Sequence, residues 1–359
     1  MRFILTTFSC FAISVSLATA QNIENETLKI SVIDVEGGEA TLFVTPAGES
    51  LLFDTGWPGF NGRDAERIAK VAKENGVSQI DYLVVTHFHT DHMGGANQLA
   101  SKLPIRTFID HGVTIDQGKR PRAAFNTYAD LRSNSSHLMV EPGHLLPLKG
   151  LEVTILSSNG KVLDAPLPDA GSKNSHCESF TFHGEQITDR YGDAEDQRSI
   201  SALVTFGRFR AVIMGDLTWN KEYPLMCPYN KIGTVDLYLV SHHGSHTSGS
   251  RALVHAINPR VAIMNNGPRK GGAVQTFEIL RAMNNLEHLW QNHYSLEASY
   301  AHNAPNQFIA NLQYDVPLPD GEDIHLGPAH WIQVSASADG SFSVTNTRNR
   351  FKRSYESTE

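Results

Sequence analysis

Residues Val84 to Gly95 read VVTHFHTDHMGG. An apolar run stops abruptly in three histidines and an aspartate within six positions, and Gly-Gly follows one residue later. Asp81–Thr86, DYLVVT, reads as a buried strand. Imidazole and carboxylate are common ligands for zinc and similar ions. His87 and His89 are two apart, so on extended chain they point the same way. Asp91 and His92 follow where the chain must turn, and Gly94-Gly95 is expected to let it turn tightly. Two ligands on the strand side and two on the turn suit two metal ions side by side. A lone histidine on a strand usually packs or faces solvent, but four such groups crowded together do not fit that role.

The surrounding pattern is that of an α/β domain. Leu28–Val35, Glu39–Thr45 and Ser50–Gly56 alternate or run apolar between glycine and proline breaks, with Gly37-Gly38 as the first turn. Asp64–Asn75 puts Ala65, Ile68, Ala69 and Ala72 on one face of a helix stopped by Gly76. Further strands are expected at 105–110, 151–156, 199–206, 209–214, 235–240 and 260–264. Helices are expected at 248–257 and from Ala273 to about His288. Strand and helix alternate, which favours layered sheet and helix. The polar stretch 158–196 reads as a long surface insertion. His330–Ala336 and Ser341–Asn346 read as a terminal hairpin, and 351–359 as a frayed tail.

Residues 1–20, MRFILTTFSCFAISVSLATA, carry Arg2, an apolar run and Ala18-Thr19-Ala20. That is the pattern of a cleaved secretory signal, so a secreted or periplasmic protein is expected, with residues 21–350 as one domain. No later segment is long and apolar enough to span a bilayer. Of three cysteines, Cys177 and Cys227 lie beyond the signal. An oxidising compartment would allow them to pair, but spacing alone does not decide it. The net charge of −8 over 359 residues argues against a general nucleic-acid binder.

HFHTDH resembles the HxHxDH motif of the metallo-β-lactamase superfamily of hydrolases. LFDTG around Asp54, AVIMGDLTW around Asp216 and LVSHHGSHTS around His242 and His243 match the superfamily's later site segments in order. The resemblance implies a four-layer αβ/βα sandwich with metals at one edge of the sheets. It implies Asp216 as a carboxylate bridging two ions, and Asp54 as an acceptor that fixes the tautomer of a ligand histidine. Most of the superfamily carries a third histidine before the Gly-Asp strand. Here the matching segment, AEDQRSISALV, has none, and Asp196 is the candidate. In SHHGS, neighbours on extended chain would point opposite ways. Either His242 or His243 is then the ligand, with His243, beside Gly244, favoured. Within the superfamily the chain looks most like the hydrolase domain of ComEC-type competence proteins, through VIDVEGGEATLF, SHHGS and MNNGPRKGG. It departs from them at Glu36 and Gly38 and in having no His-Pro after Asn266, and no channel segment is present to carry over DNA uptake.

The resemblance implies two divalent ions, with Zn2+ expected and Mn2+ or Fe as alternatives. His87, His89 and Asp196 would hold one ion, and Asp91, His92 and His243 the other. Two cations lower the pKa of a bridging water from near 16 to about 7. The resulting hydroxide would attack an ester, lactone, amide or phosphodiester, with Asp91 and Asp216 as the catalytic carboxylates. A small or medium-sized substrate is favoured on charge. A ComEC-like phosphodiesterase or nuclease is the rival. A di-iron redox protein is a third reading, since such members carry a carboxylate in the third-histidine position, but no flavin-type domain fits the tail. A non-catalytic binding protein is disfavoured by the full ligand set. The sequence leaves the oligomeric state open.

Overall fold

Leu42 and Leu52 point to one side of their sheet and Phe43 and Phe53 to the other, yet all four are fully buried. Successive strand residues face opposite sides, so this sheet is covered on both faces. The same holds across the second sheet, where Ile213 and Ile263 face one cluster and Val212 and Met264 another. Strands buried on both faces read as continuous apolar runs rather than alternating ones, as the run before His87 does.

A computed structural model describes residues 27–177, 195–312 and 329–358. Among the described residues the strands form two sheets of nine and eight strands. The first runs, in spatial order, Lys352–Tyr355, Phe342–Asn346, Ile332–Ala336, Leu28–Val32, Thr41–Val44, Ser50–Phe53, Ile80–Val84, Ile105–Asp110 and Ser136–Met139. The second runs Ile309–Asn311, His288–His293, Val261–Met264, Leu237–Leu239, Phe209–Ile213, Ser201–Phe206, Glu152–Ser158 and Lys161–Val162. One core, including Phe43, Phe53, Phe209 and Trp290, lies between the sheets. Helices Arg63–Glu74, Ala96–Ala100 and Lys119–Arg132 cover the outer face of the first. Trp219–Met226, Arg251–Ile257 and Val274–Arg281 cover that of the second. The four-layer αβ/βα sandwich is therefore as expected.

Several local expectations are corrected. The helix starting near Ala273 ends at Arg281, and Met283 to Asn285 turn the chain. His288–His293 is then a strand parallel to Val261–Met264, seating Trp290 in the core. The tail does not fray: Lys352–Tyr355 is an edge strand antiparallel to Phe342–Asn346. Tyr355 anchors it, stacking on Phe342 at 4.6 Å between ring centroids. Lys352 and Arg353 leave charge on that open edge, which discourages further pairing. The terminal hairpin joins the first sheet through Leu28–Val32. The insertion is partly built: Lys161–Val162 pairs back on Ser157 and Ser158, and Lys173 bridges to Tyr229. Residues 178–194 lie outside the described residues, as does the segment 1–20 expected to be a signal.

Cys177 and Cys227 are bonded to each other across 50 positions. The bond ties the insertion to the end of the helix Trp219–Met226. Closing a loop of this length restricts the unfolded chain, an effect worth about 2–4 kcal/mol. We expect reduction, or the double variant Cys177→Ala/Cys227→Ala, to lower the melting temperature by several degrees, read by calorimetry with and without reductant.

Candidate metal centre

The strands Ser50–Phe53, Ile80–Val84, Phe209–Ile213 and Leu237–Leu239 all end at one rim of the sandwich, the first two and the last two paired in parallel. Carboxyl ends of parallel strands are the usual ligand rim of α/β folds. Asp54 follows its strand directly, and His87, Asp216 and His242 each come three positions after theirs. The backbone crosses the seam here: Ile200 N donates to Thr86 O at 2.9 Å, bringing Asp196 from the second half against His87.

Gly94 and Gly95 serve a different purpose from the one expected. Both have ordinary helical φ, −65° and −77°. A Cβ on Gly94 would collide with Thr90 O and Pro58, and one on Gly95 with Thr55 O. They are glycines because the turn presses flat onto the Asp54–Gly56 strand end, where Thr55 N donates to His92 O at 2.6 Å.

The ligand-type atoms fall into overlapping groups. His87 Nε2, His89 Nδ1 and Asp196 Oδ1 lie 2.9–3.4 Å from one another. Asp91 Oδ2 is 3.3 Å from both His92 Nε2 and His243 Nε2. Asp216 Oδ2 is 3.2 Å from His92 Nε2, 3.2 Å from His242 Nε2 and 3.5 Å from His243 Nε2. A tetrahedral ion with bonds of 2.0–2.1 Å needs ligands about 3.3 Å apart. The residues therefore fit a metal ion in spacing and in donor type. His243 adds a second sign: both its ring nitrogens are buried without a hydrogen bond of proper geometry. Leaving them so costs free energy unless a cation takes the lone pair.

His242 and His243 both place Nε2 beside Asp216 Oδ2. The segment is not extended: His242 has φ 52°, ψ 43° and His243 φ 55°, ψ 14°. Two left-handed residues in succession cost about 1–3 kcal/mol each. The strain is held by His242 N on Gly215 O at 3.0 Å and Gly272 N on His243 O at 2.9 Å. His242 groups with Asp196 and Asp216, and His243 with Asp91, His92 and Asp216. His242, from the Ser241–Gly244 turn, thus lies with Asp196 and Asp216 at ligand spacing.

Around this cage, hydrogen bonds fix ring orientation. Asp54 Oδ2 lies 2.8 Å from His92 Nδ1 and accepts Thr86 Oγ1 at 2.7 Å, leaving His92 Nε2 to face the cage. Thr86 Oγ1 also lies 3.2 Å from His87 Nδ1. Burial holds His87 and His242 below the usual imidazole range, so they are neutral, as metal ligands must be. Burial would raise the Asp91 carboxyl, but Lys270, His92 and His243 together pull it well below the usual range. Burial would lower His92, but Asp216, Asp91 and Asp54 push it well up.

Three contributors carried no signal in the sequence. Glu195, fully buried, accepts Phe88 N, His111 Nε2, Thr114 Oγ1 and Ile115 N at 3.0–3.2 Å. Burial opposes its charge, yet His111 and the Ile115 N–H hold its carboxyl down at about 2. It ties the HFHTDH loop to Asp196. Lys270 contacts Asp91, and Asn265 contacts Glu39 across the seam. A further group, Asp34, Glu36 and His293, also has ligand spacing. Arg67 already pairs both carboxylates, at 2.9 and 3.1 Å, so it reads as a charge-balanced clamp.

A two-sheet sandwich with a histidine–aspartate cage at the strand rim is the architecture of a metal-dependent hydrolase-type protein. The family model described as metallo-beta-lactamase superfamily matches residues 34–264, and the chain belongs to that superfamily. Recombination protein 2 of Haemophilus influenzae is 24% identical over 262 residues, 72% of this chain and 27% of that protein. ComE operon protein 3 of Bacillus subtilis is 23% identical over 192 residues, 54% and 20% respectively. The match thus spans about a quarter or less of these relatives' length, and it bears out the ComEC-type relation at low identity. The crystal structure of the metallo-beta-lactamase fold protein YhfI from Bacillus subtilis has a TM-score of 0.45 at 13% identity, covering 74% of this chain and 96% of that one.

Two outcomes are expected. Asp54→Asn should weaken metal binding by about 10–100-fold, read by competition with a chelating dye. The His293 clamp should be pH-dependent. Burial opposes the charge on His293, but Asp34 at 2.6 Å and Glu36 raise it to about 10. Its stabilisation is full below about 6.5 and is lost as pH rises through about 10. His293→Gln should flatten the fall of melting temperature between those limits, and an unchanged slope would contradict the assignment.

Proposed function

We propose that the chain is an exported hydrolase that works with two divalent metal ions, zinc being the expected one. His87, His89, Asp196 and His242 would hold one ion, Asp91, His92 and His243 the other, with Asp216 between them. The observation that carries this reading is the position of Asp216 Oδ2, 3.2–3.5 Å from His92, His242 and His243 at once. When bound, such a pair supplies Lewis acidity and lowers the pKa of a shared water to about 7.

The chain's own groups do the rest. Asp54, through Thr86 and His92, sets the tautomer that presents Nε2 to the cage. Asp91, held ionised, can accept a proton at Oδ2 and pass it to a leaving group. Asp216 keeps its carboxylate fixed through its own N–H on Ser199 Oγ at 3.1 Å. Most of the cage is sealed, but the side chains of His89 and His242 are 26% and 16% exposed. Substrate would reach the site past these two rings.

Export is supported by the residue pattern of 1–20 and by the Cys177–Cys227 bond, since such bonds persist in oxidising compartments. Among the described residues no helix is long and apolar enough to cross a membrane. The substrate would be small or medium-sized. Ester, lactone, amide and phosphodiester bonds all suit the cage. The similarity to a recombination protein favours phosphodiesters as a second reading.

The test is hydrolysis of bis-p-nitrophenyl phosphate, p-nitrophenyl acetate and a set of lactones by natively purified protein, with metal analysis. We expect two ions per chain, activity on one bond class, its loss with chelator and its return with Zn2+ or Mn2+. Asp216→Asn should lose metal and activity together. Activity that survives complete metal removal would overturn the reading.

A further inference from the structure

Lys270 sets its ammonium in contact with one carboxylate of the cage, Asp91. Its Nζ contacts Asp91 Oδ2, the same oxygen that lies 3.3 Å from His92 and His243. Asp196, on the other side, has only histidines as ion-pair partners among the described residues.

The lysine is held in place. Its Nζ lies 4.8 Å from the centre of the Trp57 ring, a cation–π distance. Gly267 N donates to Lys270 O at 2.9 Å. A Cβ on Gly37, which has φ 78°, would come within 2.8 Å of Lys270 Cβ and 2.9 Å of Gly267 N. Only glycine lets that turn approach so closely. Gly271 packs on His243 O, and Gly272 N donates to it at 2.9 Å. The loop bearing Lys270 is thus fixed both to the Glu36–Glu39 turn and to the backbone of a cage histidine. The side chain is 36% exposed, so the head group has a path to water if displaced.

We propose that Lys270 competes with the metal ion on the Asp91, His92, His243 side. An ion arriving there must displace the ammonium from Asp91 and meet its charge nearby. The two ions then load in order, the His87 side first and the Asp91 side second, and the second step depends on metal supply. This inference rests on the two-ion reading above.

The test is calorimetric titration of metal-free protein with Zn2+ and with Mn2+, and bound metal counted after dialysis. Wild type, Lys270→Met and Lys270→Arg are compared, with melting temperature checking that each is folded. Methionine keeps the stem over Trp57 and removes the charge, and arginine retains the charge. We expect two steps in wild type, with the second tightened at least tenfold in Lys270→Met, the first unchanged, and Lys270→Arg close to wild type. One step in wild type and two in Lys270→Met would support the proposal equally. Two steps in each protein, with the second unchanged within twofold, would overturn the role of Lys270 and leave the two-ion reading standing. One step or none in every protein would overturn both.

Discussion

Three carboxylates, Asp91, Asp196 and Asp216, meet almost out of water where the two sheets join. Asp216 has ligand oxygens of both others within 4.8 Å. At the effective dielectric of a protein interior, each such pair of like charges repels by roughly 3–4 kcal/mol. Burial holds two of the surrounding imidazoles, His87 and His242, neutral, so they offer lone pairs and little charge. Lys270 contacts one carboxylate, and His92, pushed well up by Asp216, Asp91 and Asp54 despite its burial, faces two of them. The 3.2–3.5 Å spacing around Asp216 Oδ2 suits a cation at the same place.

That concentration of charge is tolerable only if the two halves cannot drift apart, and the seam is stitched accordingly. His293 and Asn292 of the second sheet reach Asp34 Oδ1 at 2.6 Å and Ile33 O at 3.2 Å in the first. Glu39 meets Asn265, and burial raises the Glu39 carboxyl to about 7 despite its bond from Thr41. Glu195 binds the loop that carries His87 and His89. The left-handed backbone of His242 and His243 is held within the second half itself, by His242 N on Gly215 O and Gly272 N on His243 O.

How much of this the sequence revealed follows from the range of each contact. HFHTDH was readable because its groups are close in the chain and end a strand of plain apolar character. Asp216 is legible only through the resemblance of AVIMGDLTW to the superfamily's strand ending in Gly-Asp. Lys270 is 179 positions from Asp91, and Glu195 is 107 from Phe88. No periodicity joins residues so far apart. At His242–His243 the backbone is left-handed rather than extended, and local sequence does not announce two consecutive positive φ angles. The strand His288–His293 was hidden by a helical run that tertiary packing stops at Arg281. Tyr355 looked like part of a polar tail until its ring met Phe342.

The acidic balance of the whole chain and the cation at the mouth bear on different substrates. A net charge of −8 acts on a long polyanion, which must lie across much of the surface. Its reach is cut to about 8–10 Å by physiological salt. A single reacting phosphate or carboxylate arriving past His89 and His242 meets the local field instead. There it finds the cage, whose own negative charge metal ions would neutralise. An ammonium moved off Asp91 would stay charged beside the Trp57 ring. The arrangement therefore opposes gripping a polymer without opposing an anionic group at the reacting end of a small one. A short phosphodiester would meet that local field rather than the net charge of the whole surface.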